Sequence, residues 1–202
     1  DPGFPTYYSA IKMCNAKSVR VPLKEKNGFR MSPKDIESKI TSKTRLIIIN
    51  SPQNPTGAVM TKEELKQIYE IAEKYDLYLY SDEIYDKMVY GDLEVNSPSV
   101  YDKCKKRVIL SSGFSKSFAM TGWRLGTVIA PKVVIDKMNL LLQTTSSCVP
   151  PFIQKAGIEA ISGDQKKIKQ MIKEYQKRRD VLVDGLNSIS NIECLKPGGA
   201  FY

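Results

Sequence analysis

The stretch VILSSGFSKSFAMTGWRLGTVIAP, residues 108–131, governs how the rest of the chain is read. It opens and closes on apolar, β-branched runs, VILSS (108–112) and LGTVIAP (125–131), which read as strands. No helical pattern lies between them, and parallel neighbours in one sheet need a long crossover, usually a helix. The spacing therefore predicts that the second strand runs antiparallel to the first. The loop joining them holds one lysine, Lys116, among small residues, with Arg124 eight positions later beside the chain's only tryptophan, Trp123.

Outward from this stretch, short apolar runs alternate with helical patterns, which is the signature of an α/β fold. SVRVPL (18–23) reads as a strand. SPKDIESKI (32–40) reads as a helix with Ser32 as N-cap, Pro33 at the first helical position and Asp35 closing a capping box. RLIIIN (45–50) is a buried strand bounded by SPQNPTG; TKEELKQIYEIAEKY (61–75) is a helix capped by Thr61 with Glu64 reaching back; LYLYSD (77–82) is the next strand. Helices are expected over about 132–143 and 150–161, followed by a long basic helix from 163 towards 189.

With 202 residues and 42% hydrophobic side chains, the chain can bury a sizeable core. No apolar run approaches the roughly 20 residues of a membrane span. The four cysteines are far apart and form no CxxC pair, so neither a zinc site nor a disulfide scaffold is expected, and a reducing cytoplasm suits them. There is no histidine, which removes His-dependent triads and general bases. Any chemistry falls to lysine, tyrosine or carboxylates. The charge of +9 concentrates in 163–179, where seven Lys/Arg face two acids. Helical spacing there leaves Ile168, Met171, Ile172 and Tyr175 to face a core, so the charge reads as a solvated helix face, not a nucleic-acid patch. The opening DPGFPTYYSA shows no secretory signal, and both ends read as mid-domain sequence, so a fragment is expected.

Asn54, Asp82 and Lys116 each fall just after an expected strand. Alone, each has an ordinary reading: a turn, a cap, a solvent-exposed lysine. Ligands of open α/β sheets bind at the carboxyl ends of strands, so the three are candidates to share one crevice.

PQNPTG (52–57), SDEIYDKMVY (81–90) and SSGFSKSFAMTGWRLG (111–126) together resemble the class I/II aminotransferases, pyridoxal 5′-phosphate (PLP) enzymes of fold type I. DPGFPTY and KPGGAFY fit the same resemblance, which covers nearly the whole chain. It implies a three-layer α/β large domain over 1–172, with a mostly parallel sheet carrying one antiparallel strand. Residues 173–202 then form a connecting helix and the start of a smaller α+β domain. It also implies a homodimer, while the sequence itself gives no support for metal binding or membrane association.

The chemistry accounts for the residue types. Lys116 is implied as the amine that condenses with the PLP aldehyde and later moves the substrate's Cα proton. Asp82 would pair with the ring nitrogen and favour its protonated form. Asn54 and Tyr85 would hydrogen-bond the ring's phenolic oxygen, and Phe4 would supply a stacking face unless it is plain core. Arg124 would bind the phosphate as a fork with Ser115 adding a bond. Where many relatives place a hydroxyl three residues before the lysine, this chain has Gly113, so the second hydroxyl comes from Ser111 or Ser112 or is absent. Trp123 and Gly122 read as packing for the reversed strand.

The resemblance implies transfer of an amino group between an L-amino acid and a 2-oxo acid, of the aspartate/aromatic/alanine type. The same motifs also serve PLP-dependent C–S lyases, cyclopropane-forming synthases and PLP-sensing regulatory modules.

Overall fold

The computed structural model describes residues 1–202. Its centre is a four-stranded mixed sheet in the order β1 (Leu46–Asn50), β2 (Tyr78–Asp82), β3 (Val108–Gly113), β4 (Gly126–Ile129). The first three strands are parallel, and β4 runs antiparallel to β3 with Gly113 opposite Gly126. The loop of 114–125, which holds only a single 3-10 turn at Thr121–Trp123 and no crossover helix, thus reverses the chain as its sequence predicts.

Along β2, alternate residues face opposite ways. Leu79 meets Ile47 on one side and Val108 on the other, and this face packs on Leu65, Ile68 and Ala72 of the helix α3 (Lys62–Lys74). Those residues recur at helical spacing, so one stripe of α3 is buried and the rest is solvated. Thr61 accepts from the Glu64 N–H while the Glu64 carboxylate accepts from the Thr61 N–H, completing the expected capping box. A short helix, α2 (Pro33–Glu37), adds Ile36 to this core.

The other face of the sheet aligns Asn50, Asp82 and Ser111 in one row at the carboxyl ends of the parallel strands. Over it lies a helix, α1 (Pro5–Met13), whose Tyr7 reaches Asp82. The sheet therefore sits between two helical layers. The helix α4 (Ser99–Asp102) precedes β3, and α5 (Lys132–Thr145), α6 (Pro151–Ser162) and α7 (Lys166–Asn187) follow β4. Ile168, Met171, Ile172 and Tyr175 of α7 are half-buried and its lysines exposed, as the spacing predicts. From α7, Arg179 donates to the Pro197 carbonyl at 2.8 Å, and Tyr175 packs on Phe201, which brings the final segment back to the sheet.

Two expectations are corrected. SVRVPL is extended but belongs to no sheet: the Leu23 N–H donates to the Asp1 carbonyl, the Asp1 amino group donates to Val21, and no strand lies alongside. Ser32 does cap α2, but Asp35 does not close a box, because its carboxylate accepts from Lys24 at 2.6 Å instead.

Candidate active site

The row of Asn50, Asp82 and Ser111 floors a cleft of about 270 Å³. Phe4, Asn54, Tyr85 and Lys116 also line it, so five of the residues singled out in the sequence meet in one place. Each is brought there by local chemistry. At the end of β1, Asn50 Nδ2 donates to the Asp82 carbonyl at 3.0 Å, and its Oδ1 accepts from the Asn54 N–H at 2.8 Å. Gln53 Oε1 accepts from the Thr56 N–H at 2.8 Å, and its Nε2 donates to the Pro2 carbonyl at 3.0 Å. The same loop thus fixes Asn54 and anchors the segment bearing Phe4.

Asp82 ends β2 and is half-buried. Its Oδ1 accepts from the Ile84 N–H at 3.2 Å and its Oδ2 from the Tyr7 hydroxyl at 2.5 Å. Burial pushes its carboxyl above the usual range, and these two donors pull it back. Glu83 turns to the opposite side, where Oε1 accepts from Ser81 at 2.8 Å and Ser97 at 2.7 Å. Tyr85 is 2% exposed, and burial followed by its contact with Tyr202 pushes its phenol upward, so it remains a donor.

Lys116 follows β3 in a turn closed by the Ala119 N–H on the Lys116 carbonyl at 3.1 Å. Its ammonium lies 5.1 Å from the centre of the Phe201 ring. The Tyr202 hydroxyl sits between two of the candidate residues: Asn54 Nδ2 donates to it at 2.9 Å, and the Tyr85 hydroxyl lies 3.0 Å away.

Ser115 and Arg124 are not among the cleft-lining residues. The Ser115 carbonyl accepts from Thr121 at 2.9 Å, and the exposed Arg124, in the left-handed region at φ 53°, donates to the Thr121 carbonyl at 2.9 Å. Ser111 and Ser112 do line the cleft, with Ser111 donating to the Tyr80 hydroxyl at 2.7 Å. Gly113 has a steric cause: a Cβ there would stand 2.9 Å from Ile84 Cδ1 and 3.3 Å from the Leu125 carbonyl. A hydroxyl-bearing side chain here would require the Ile84 side chain to swing aside and the Leu125 carbonyl to give slightly.

Sequence reasoning missed Tyr7, Asn50 and Tyr202. Only the aromatic, Pro-initiated run FPTYY hinted at the first of these.

The family profile for aminotransferase class I and II matches residues 1–202. The chain belongs to this family. An aspartate aminotransferase of Pyrococcus horikoshii is 43% identical across all of this chain and 52% of its own length. Aromatic-amino-acid aminotransferase 2 of Thermococcus litoralis is 40% identical, with the same coverage. Among solved structures, an aromatic aminotransferase from Pyrococcus horikoshii superposes with a TM-score of 0.94 at 39% identity, over 98% of this chain and 54% of the other. An aspartate aminotransferase from Rhizobium meliloti gives a TM-score of 0.94 at 30% identity, over 99% and 50%. The chain thus spans about half the length of the curated relatives it matches. Membership of this family of aminotransferases implies PLP as the cofactor. No helix of the chain is long and apolar enough to cross a membrane.

Proposed function

We propose that this chain carries the cofactor-binding part of a PLP-dependent transaminase that moves an amino group between an L-amino acid and a 2-oxo acid. The observation that carries the reading is the meeting of Phe4, Asn54, Asp82, Tyr85 and Lys116 in one cleft at the carboxyl ends of parallel strands. The names of the relatives, aspartate and aromatic-amino-acid aminotransferases, support acidic and aromatic amino donors.

The donor set fits the cofactor on an observation independent of family. Asn54 and Tyr85 converge on a phenolic oxygen, that of Tyr202, which stands in for the phenolic oxygen of the cofactor ring. Asp82, recessed and anionic, suits a protonated ring nitrogen. When bound, the cofactor supplies an aldehyde that takes up amines and a ring that withdraws electrons from the substrate's Cα.

Lys116 holds the amine for that aldehyde, and its Nζ moves the Cα proton. Asp82 keeps the ring nitrogen protonated, Asn54 and Tyr85 orient the ring through its oxygen, and Phe4 covers a ring face. The phosphate is assigned to Ser115 and the Arg124 fork, with Ser111 and Ser112 as nearby hydroxyls. In this reading residues 1–172 are the large domain and 173–202 the connecting helix and the start of a smaller one. The assembly is a homodimer, a feature resting on family resemblance alone. The four free cysteines suit the cytoplasm.

Borohydride reduction of the full-length protein with PLP tests this. The cofactor should be fixed on the peptide bearing Lys116, and unchanged labelling of Lys116→Ala would sink the assignment. Transfer to a 2-oxo acid distinguishes a transaminase from a lyase, which releases ammonia without an acceptor.

A further inference from the structure

Resting on the reading above, we infer that Tyr7 is the positioning residue for Asp82, its hydroxyl orienting the carboxylate towards the cleft by donation to Oδ2. Three observations carry this. The contact joins α1 to the end of β2 across 75 positions of sequence, so it is a tertiary bond and not a local turn. Tyr7 and Asp82 both line the cleft, which places the bond at the site itself. The Tyr7 ring is held in turn by Phe4, edge to face, with centroids 5.7 Å apart.

The two carboxylate oxygens are thereby fixed from different directions, by Ile84 N–H on Oδ1 and Tyr7 on Oδ2. A carboxylate free to rotate would present its lone pairs to a ring nitrogen only part of the time. Donation to an ionised carboxylate is a strong hydrogen bond, and it favours the charged form. The remaining groups facing Asp82 are Tyr80 on its own strand, Tyr85 in the turn beyond, Ser111 on β3 and Lys116 across the cleft, while the Glu83 charge acts on it from the opposite side. Among the tyrosines, Tyr7 alone bonds the carboxylate. Burial, and next the Asp82 charge, push the Tyr7 phenol well above its usual range, so it stays a donor at every working pH.

The test is the pH profile of PLP binding to the full-length protein, read as a dissociation constant at each pH. Binding is tighter with ionised Asp82, which pairs with a protonated ring nitrogen, and weakens as pH falls through the Asp82 pKa. Tyr7→Phe removes a donor that lowers that pKa, so the acid limb should move to higher pH and the dissociation constant should rise about 10-fold. Replacing Tyr7 with 3-fluorotyrosine, a more acidic phenol and stronger donor, should move the acid limb the opposite way. A purely structural tyrosine gives no such opposed pair. An unmoved limb with a dissociation constant within about twofold of wild type in Tyr7→Phe overturns the inference while leaving the proposed function intact. If Tyr7→Phe does not fold, the fluorotyrosine protein decides alone: a limb moved to lower pH supports the inference and an unmoved one overturns it. If the wild-type protein binds no PLP, the proposed function fails and this inference fails with it.

Discussion

Ser117, fully buried, donates its hydroxyl proton to Oδ1 of Asp86 at 3.0 Å. The bond ties the residue after Lys116 to the turn that carries Tyr85. Removing it with Ser117→Ala leaves the Asp86 oxygen without this donor in a half-buried position. The expected cost is about 1–3 kcal/mol, from a hydrogen bond to a charged group. Urea unfolding of the full-length protein measures it, and a midpoint identical to wild type counts against the tie.

Gly57 closes the NPTG turn at φ +66°, and a Cβ there would stand 2.5 Å from Pro197 Cβ and 2.8 Å from the Gly199 carbonyl. Gly57→Ala should lose about 1–3 kcal/mol from backbone strain alone. The contact with Pro197 adds to this. Because Asn54 lies in the same turn, PLP affinity should fall along with the unfolding midpoint, and both are measured on one sample.

Glu83 is 6% exposed, with two hydroxyls and no cation at its carboxylate. Burial, the largest influence, raises its pKa above 4.5 despite the Ser97 and Ser81 hydroxyls. A raised acid binds its proton more tightly when folded than when unfolded, so this group's contribution to stability falls as pH rises from about 4.5 through the folded value. Glu83→Gln keeps an oxygen for both serines and cannot ionise. Its stability should fall less steeply than that of wild type over that window, as followed by thermal unfolding at a series of pH values.

Asp82→Asn keeps size and one acceptor but removes the charge opposite a ring nitrogen. Under the proposed function the variant should still bind PLP, with turnover reduced about 10²-fold or more, as for loss of one preorganised electrostatic partner. Near-normal kcat would remove Asp82 from the role assigned to it.

Much of this fold is legible because its signals are local and physical. RLIIIN and LYLYSD have the run length and branching of buried strands, Thr61 and Glu64 mark a helix start, and the loop after β3, without a crossover helix, dictates the reversal at β4. α1 is not legible, since none of its residues is buried and it leaves no apolar stripe to read. SVRVPL misleads because alternation shows that a segment fits an extended surface without supplying the neighbour a strand requires. At the site, Asn54, Asp82 and Lys116 stand out because each falls at or just after the end of a strand, whereas Tyr85 is found only through the resemblance of its motif. Tyr7 and Tyr202 do not stand out, since their contacts depend on where distant segments dock, information carried by tertiary packing.

The order in which such a molecule can be assembled follows from one contact. Asn54 and Tyr202, bonded across the cleft, are 148 positions apart. The entropy of closing a loop grows with its length, and long-range contacts slow folding. The β1–α3–β2 unit draws on near neighbours in sequence, whereas the wall built by Pro197 to Tyr202 joins only after α7 has been synthesised. During translation the β1–α3–β2 unit therefore leaves the ribosome well before the segment that walls the cleft beside Asn54, and the ligand-shaped surface is closed only by a contact made long after its floor is laid.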